Sequence, residues 1–160
     1  GDVTGRLQFT HVAGYHGGLV LRPLLFRLRA RQNALIIPRV IYTEPEMAQV
    51  GLTEAEAAKK HGRISVLRWP YSENDRAQAE RCTEGFVKVI AGKGGRILGA
   101  GIVGANAGEL IAEAALAIEM GATLEDLALT QHPHPTLSEM VMEAAEHAHG
   151  RAIHIANRRR

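Results

Sequence analysis

Cysteine is almost missing from this chain. Its 160 residues include one, Cys82, so there is no disulfide framework, no pair of thiols to share a metal ion, and no dithiol to cycle between oxidation states. Flanked by Arg81 and Thr83, Cys82 reads as a structural or incidental thiol. Long apolar runs are missing too. None reaches the roughly 20 residues of a membrane-spanning helix, and no secretory leader opens the chain, which sets the expectation of a cytoplasmic protein with no membrane partner. Charge of one sign is not in excess: 19 Lys and Arg face 17 Asp and Glu, a net +2 that gives no footing for a nucleic-acid partner. The terminal Arg158-Arg159-Arg160 reads as a solvated tail rather than a binding patch. Internal repeats, low-complexity segments and long linkers are absent. So is an initiating methionine, and the start at Gly1-Asp2 suggests a piece of a longer protein.

What remains is a chain 46% hydrophobic and 22% charged, enough for one domain with a real core. Helical spacing runs from about Gly17 to Asn33, with Leu19, Leu21, Leu24, Leu25 and Leu28 on one side and arginines on the other. Pro23 falls inside it and predicts a late start or a kink. Residues 36–43 read as a strand ending at Glu44-Pro45-Glu46, and Met47 to Gly51 resumes it. Thr53 with Glu56 predicts a capping box for a helix that stops at Gly62. Ile64 to Trp69 follows as a strand, and Glu73 to Arg81 as a helix. Gly85 to Ala91, a turn at Gly92-Lys93-Gly94-Gly95 and a return over 96–103 predict a hairpin. Asn106 with Glu109 predicts the cap of a helix closed by Gly121, and Thr123 opens another helical turn. Strands first and helices clustered after them favour an α+β domain. The expected sheet is mixed or antiparallel, with about five strands and helices packed on one side.

Near the C-terminus, His132-Pro133-His134-Pro135 runs straight into Thr136-Leu137-Ser138-Glu139. Proline stiffens the backbone on both sides of each imidazole. Thr136 and Glu139 have the spacing of a capping box, and Leu137, Met140, Val141, Ala144, Ala145 and Ala148 form a helical stripe behind them. From these residues alone, two accounts stand level. One is a helix cap with loop histidines. The other is an imidazole held for acid–base work, with Glu139 orienting His134.

A second motif invites a different chemistry. Gly99-Ala100-Gly101-Ile102-Val103-Gly104 matches G-x-G-x-x-G. In a dinucleotide site the glycines occupy the turn between a strand and a helix. Here they alternate with apolar residues inside the return strand of the hairpin, where glycine lets another element pack closely. The remaining histidines, His11, His16, His61, His147, His149 and His154, are scattered without metal-ligand spacing.

His132-x-His134-Pro135-Thr136-x-x-Glu139 resembles the C-terminal signature of the FAD-dependent pyridine nucleotide–disulfide oxidoreductases, in its dihydrolipoamide-dehydrogenase-like form. Residues 42–54 are similar to the start of that family's dimerisation domain. Ile97 to Gly104 followed by Ala107-x-Glu109 matches its hairpin-to-helix passage. Gly1-Asp2 looks like the end of its second flavin motif. The resemblance implies that residues 1–36 are the C-terminal part of an FAD-binding domain, including a helix, and that residues 37–160 are a dimerisation domain.

Residue by residue, the resemblance implies that His134 is the acid–base group and Glu139 its orienting partner. It implies a cis His134–Pro135 bond, contact of Asp2 with FAD, and Thr10 and His11 near the flavin ring. In such enzymes the histidine serves the partner subunit's redox disulfide, so a homodimer is implied, with NAD(P)H as co-substrate. The Cys-x4-Cys pair, the N-terminal FAD fingerprint and the nicotinamide domain are not in this chain. It is therefore expected to self-associate through its dimerisation domain, to retain no FAD and to be inactive alone. The competing account is a non-catalytic dimerisation or scaffold module.

Overall fold

The computed structural model describes residues 1–152, so the Arg158-Arg159-Arg160 tail lies outside the described residues. Helix α1 (Thr10–Phe26) comes first, after a short turn at Asp2–Thr4. Strands β1 (Arg39–Ile41) and β2 (Met47–Gly51), helix α2 (Glu54–His61), strand β3 (Ser65–Pro70) and helix α3 (Asp75–Glu80) follow. The hairpin β4 (Phe86–Ala91) and β5 (Ile97–Val103) leads into α4 (Ala107–Met120), α5 (Leu124–Leu129) and α6 (Glu139–Ala148).

One five-stranded sheet has the order β1-β2-β5-β4-β3, antiparallel throughout. The short β1 and the Pro70-terminated β3 are its edges. Strand alternation sorts the two faces. Ala48, Val50, Val87, Val89, Ala100, Ile102 and Trp69 are buried and pair across one face, whereas Gln49, Gly101, Lys88 and Arg68 lie across the other. On the apolar face, α4 covers the β2–β5 half and α6 the β3–β4 half. Alanines at 107, 114, 117, 144 and 145 are buried in the shared core and let both helices approach the sheet closely. On the polar face, Glu54 at the start of α2 pairs with Lys88 (3.5 Å) and Arg68 (4.0 Å).

Several expectations shift. Helix α1 runs over 10–26 rather than 17–33: buried Val12 anchors its first turn despite the glycines that follow, and Arg27 ends it in a left-handed conformation. Pro23 lies within the helix. Leu21, Leu24, Leu25, Phe26 and Leu28 are exposed. The strand expected over 36–43 shrinks to three residues, because Ala34–Ile36 forms a 3₁₀ turn whose entry Asn33 caps. Asn106 does not cap α4 through its side chain. It takes φ 58°, and the Glu46 carboxylate, 62 residues away, accepts the Gly108 N–H at 2.9 Å instead. Glu109 therefore closes no capping box there.

Beside Gly104, Tyr71 is fully buried and donates its hydroxyl to the Ala105 carbonyl at 2.8 Å. Burial pushes its phenol well above the ordinary range, and Cys82 and Glu46 add to the effect. A group whose pKa rises on folding contributes fully below the unfolded value, near 10 for tyrosine, and its contribution falls as pH climbs above that. The chain should lose stability as pH climbs from about 10 to about 12, by up to about 1.4 kcal/mol per pH unit from this group. Tyr71→Phe should cost about 1 kcal/mol at pH 8, for the lost hydrogen bond, yet flatten the alkaline fall. Denaturant titrations of both proteins across that range check the sign. An equally steep fall in the variant would remove Tyr71 as the cause.

Candidate active site

The loop between α5 and α6 carries both histidines of the His-Pro segment, and the structure holds it from two sides. Thr130 ends α5, its N–H and hydroxyl both donating to the Asp126 carbonyl. Beyond the histidines, the Thr136 hydroxyl donates to the Pro133 carbonyl at 2.7 Å and lies 2.9 Å from the Ser138 hydroxyl. Thr136 is thus not the helix N-cap expected of it. Helix α6 begins after Ser138, whose helical backbone follows a tight turn at 137–138, and the Thr136 oxygen is spent within the loop. The reciprocal half of the capping box does form: the Glu139 carboxylate accepts the Thr136 N–H at 2.8 Å.

The other Glu139 oxygen sits 3.0 Å from His134 Nδ1. This carboxylate is one-tenth exposed, while the His134 side chain is 56% exposed. A buried carboxylate therefore holds one ring nitrogen and leaves the other turned toward solvent. His134 Nε2 is 3.7 Å from Asp75, beyond hydrogen-bond reach. The His134–Pro135 bond is cis, and so is Glu44–Pro45. With Nδ1–H donating to Glu139, Nε2 keeps its lone pair and can accept a proton.

The expected residues fall into two groups. His134 and Glu139 are brought together. Asp2, Thr10 and His11 lie on the N-terminal segment, and among the described residues no hydrogen bond or ion pair joins them to that pair. All three are exposed. The His11 ring stacks on Phe9 with centroids 5.3 Å apart, and its Nε2 lies 2.9 Å from the Pro38 carbonyl. Asp2 and Thr10 have the chemistry to hydrogen-bond a polyol or ring edge. Yet the cavity beside His11, lined by Val12, Tyr15, Ile36, Ile37 and Pro38, measures about 150 Å³. Ligand pockets start near ~300 Å³, so these residues offer an edge and do not by themselves enclose a flavin.

Sequence reasoning left two neighbours of the loop unread, Asn74 and Glu113. Buried Asn74 caps α3 by accepting the Ala77 N–H at 3.0 Å, and its amide donates to the Thr136 carbonyl at 3.0 Å. Glu113 reaches the other flank of the loop, its carboxylate 2.8 Å from His132 Nε2. An asparagine just ahead of α3 signals a cap, but nothing local signals a bond to Thr136. Cys82 is not an activated thiol: burial, then the Glu80 carboxylate beside it, raises its pKa. Among the described residues no group of three or more His, Cys, Asp or Glu side chains could hold a metal ion, and no helix is long and apolar enough to cross a membrane.

Residues 37–145 match the family model "Pyridine nucleotide-disulphide oxidoreductase, dimerisation domain". Over 98% of its length the chain is 45% identical to the dihydrolipoyl dehydrogenase of Thermus scotoductus, covering 38% of that protein. Over 97% it is 43% identical to the dihydrolipoyl dehydrogenase of Bacillus subtilis, covering 33% of it. The chain thus spans about a third of the length of these curated relatives. Among solved structures, LpdA of Mycobacterium tuberculosis superposes with a TM-score of 0.86 at 28% identity, over 92% of this chain and 32% of that one. The HOCl-induced flavoprotein disulfide reductase RclA of Escherichia coli gives 0.83 at 28% identity, over 91% and 34%.

Proposed function

The chain belongs to the pyridine nucleotide–disulphide oxidoreductase dimerisation-domain family, and from that premise we propose that it is the C-terminal dimerisation part of a flavin-dependent, NAD(P)H-linked dithiol–disulfide oxidoreductase. Residues 1–36 would be the end of that enzyme's FAD-binding domain and residues 37–160 the dimerisation domain. The observation that carries this function is the His134 ring, held at Nδ1 by buried Glu139 with Nε2 open to solvent.

In this proposal Nε2 takes the proton from one thiol of the substrate dithiol. The thiolate attacks one sulfur of the partner subunit's disulfide, breaking the S–S bond and forming a mixed disulfide. The second substrate thiol gives its proton to the enzyme thiolate released in that attack and then displaces the other enzyme sulfur, so the substrate leaves oxidised and the partner's cysteines are left reduced. Glu139 fixes the tautomer and stabilises the imidazolium that forms. Flavin and nicotinamide belong to the rest of the enzyme, with FAD touching this chain at Asp2, Thr10 and His11.

Dimerisation brings the two halves of such a site together. Leu116, Met120 and Leu129, on α4 and α5, are 62–74% exposed and form the surface proposed for the homodimer contact. Sedimentation should find the purified chain dimeric, without flavin absorbance and without dithiol turnover. Leu116→Arg with Met120→Arg should yield a folded monomer. A chimera in which this chain replaces the matching segment of the Thermus scotoductus enzyme tests the function itself. It should bind flavin, dimerise and oxidise a dithiol. A flavin-loaded dimer without turnover would favour the scaffold account.

A further inference from the structure

His134 is the exposed histidine of a loop whose two flanks are both tied down. On the α6 side, Asn74 and Glu139 hold the Thr136 carbonyl and N–H. On the α5 side the tie is His132, whose side chain is only 6% exposed. Its Nδ1 lies 2.9 Å from the Thr130 carbonyl, an acceptor only, so Nδ1 carries a proton and donates it. Its Nε2 lies 2.8 Å from the Glu113 carboxylate on α4, with a proton between the two atoms. The imidazole thus joins the end of α5 to the middle of α4, and the next histidine along is the one left facing outward.

We infer that the His132–Glu113 pair is a positioning device for His134, fixing one flank of the His-Pro loop to α4 while Asn74 and Glu139 fix the other. The inference rests on the acid–base role proposed for His134. A general base must stay within hydrogen-bond reach of the proton it takes, and a shift of about 1 Å can cost about 10²-fold in rate. Glu139 alone restrains the ring at one nitrogen. Restraint of the backbone two residues before and two residues after His134 determines where that nitrogen's partner can point. A solvated loop histidine would not be buried against two acceptors on two different helices.

Glu113→Ala removes the anchor on α4, and His132→Phe fills the ring's space with neither bond. Glu113→Gln keeps a group that can accept from, or donate to, Nε2. Histidine nitrogen and carbon NMR signals of the purified chain report the ring environment directly, without turnover. Glu113→Ala and His132→Phe should shift or broaden the His134 signals, with melting temperature used to confirm a folded protein, and Glu113→Gln should restore them. In the chimera, the same two disruptive variants should lower kcat about 10–100-fold with little change in KM, and Glu113→Gln should recover most of it. Unchanged His134 signals in both disruptive variants would overturn the inference, as would a Glu113→Gln effect as large as that of Glu113→Ala. Shifted signals with unchanged kcat would leave the anchor in place and remove the acid–base role instead.

Discussion

His134→Gln in the chimeric enzyme should slow dithiol oxidation by about 10²–10⁴-fold, with flavin content and dimerisation unchanged. Glutamine keeps a polar side chain of similar reach but has no nitrogen that accepts a proton. The flanking backbone should hold its place, since Thr136 remains bonded to both Asn74 and Glu139. Glu139→Gln should cause a smaller loss. An amide still meets Nδ1 but no longer compels that nitrogen to be the donor, so part of the population would present the wrong tautomer. Asp75→Asn is the informative control. Asp75 lies 3.7 Å from Nε2, outside hydrogen-bond range, and both side chains are more than half exposed. Its removal should leave kcat nearly unchanged. Wild-type turnover in His134→Gln would exclude this residue from the chemistry.

The second large effect concerns the glycine motif. A β-carbon at Gly99 would stand 2.0 Å from the Leu52 carbonyl oxygen and 2.9 Å from its nitrogen, both backbone atoms with no rotamer to yield. Gly99 pairs with Gly51 where β2 leaves the sheet, and the Leu52 N–H donates to the Leu98 carbonyl at 2.9 Å just beyond. Gly99→Ala should therefore peel the end of β2 from β5, at about 3 kcal/mol or more. At Gly101 the nearest atom to an added β-carbon is the Ala48 carbonyl at 3.8 Å, an ordinary contact. Gly101→Ala should change stability by less than about 1 kcal/mol, in either direction. Denaturation midpoints separate the two. Equal, small effects at both positions would contradict close packing as the reason for these glycines.

Legibility followed sequence distance. The β4–β5 hairpin was readable because Val87, Lys88 and Val89 alternate inward and outward within a few residues of a glycine turn. The Thr53–Glu56 box was readable because both partners lie within one helical turn, and both reciprocal bonds form. Thr136–Glu139 has the same spacing, but the Thr136 hydroxyl found partners within its own loop, at Pro133 and Ser138, so half the box is missing. The caps and ties that fix the site reach much farther. Glu46 bonds Gly108 and Asn74 bonds Thr136 across 62 residues each, and Glu113 bonds His132 across 19. No local pattern encodes such pairs, since they exist only once α3, α4 and the loop share one core. The His134–Glu139 pair was visible as a motif. Which nitrogen the carboxylate holds, and how the loop is tied on either side, was not.

The sheet's borders bear on how this protein avoids uncontrolled assembly. A sheet with open borders offers unpaired backbone groups to any passing strand. Here one border strand, β1, is only three residues long, and the other, β3, ends in a proline and carries the exposed Ser65 and Arg68. The first gives an incoming chain too short a ladder to extend, and the second, six residues long, is stopped by its proline. Growth by strand addition is thereby discouraged, and the helical patch proposed above for the homodimer contact is of the kind that a symmetric pair would bury once and stop.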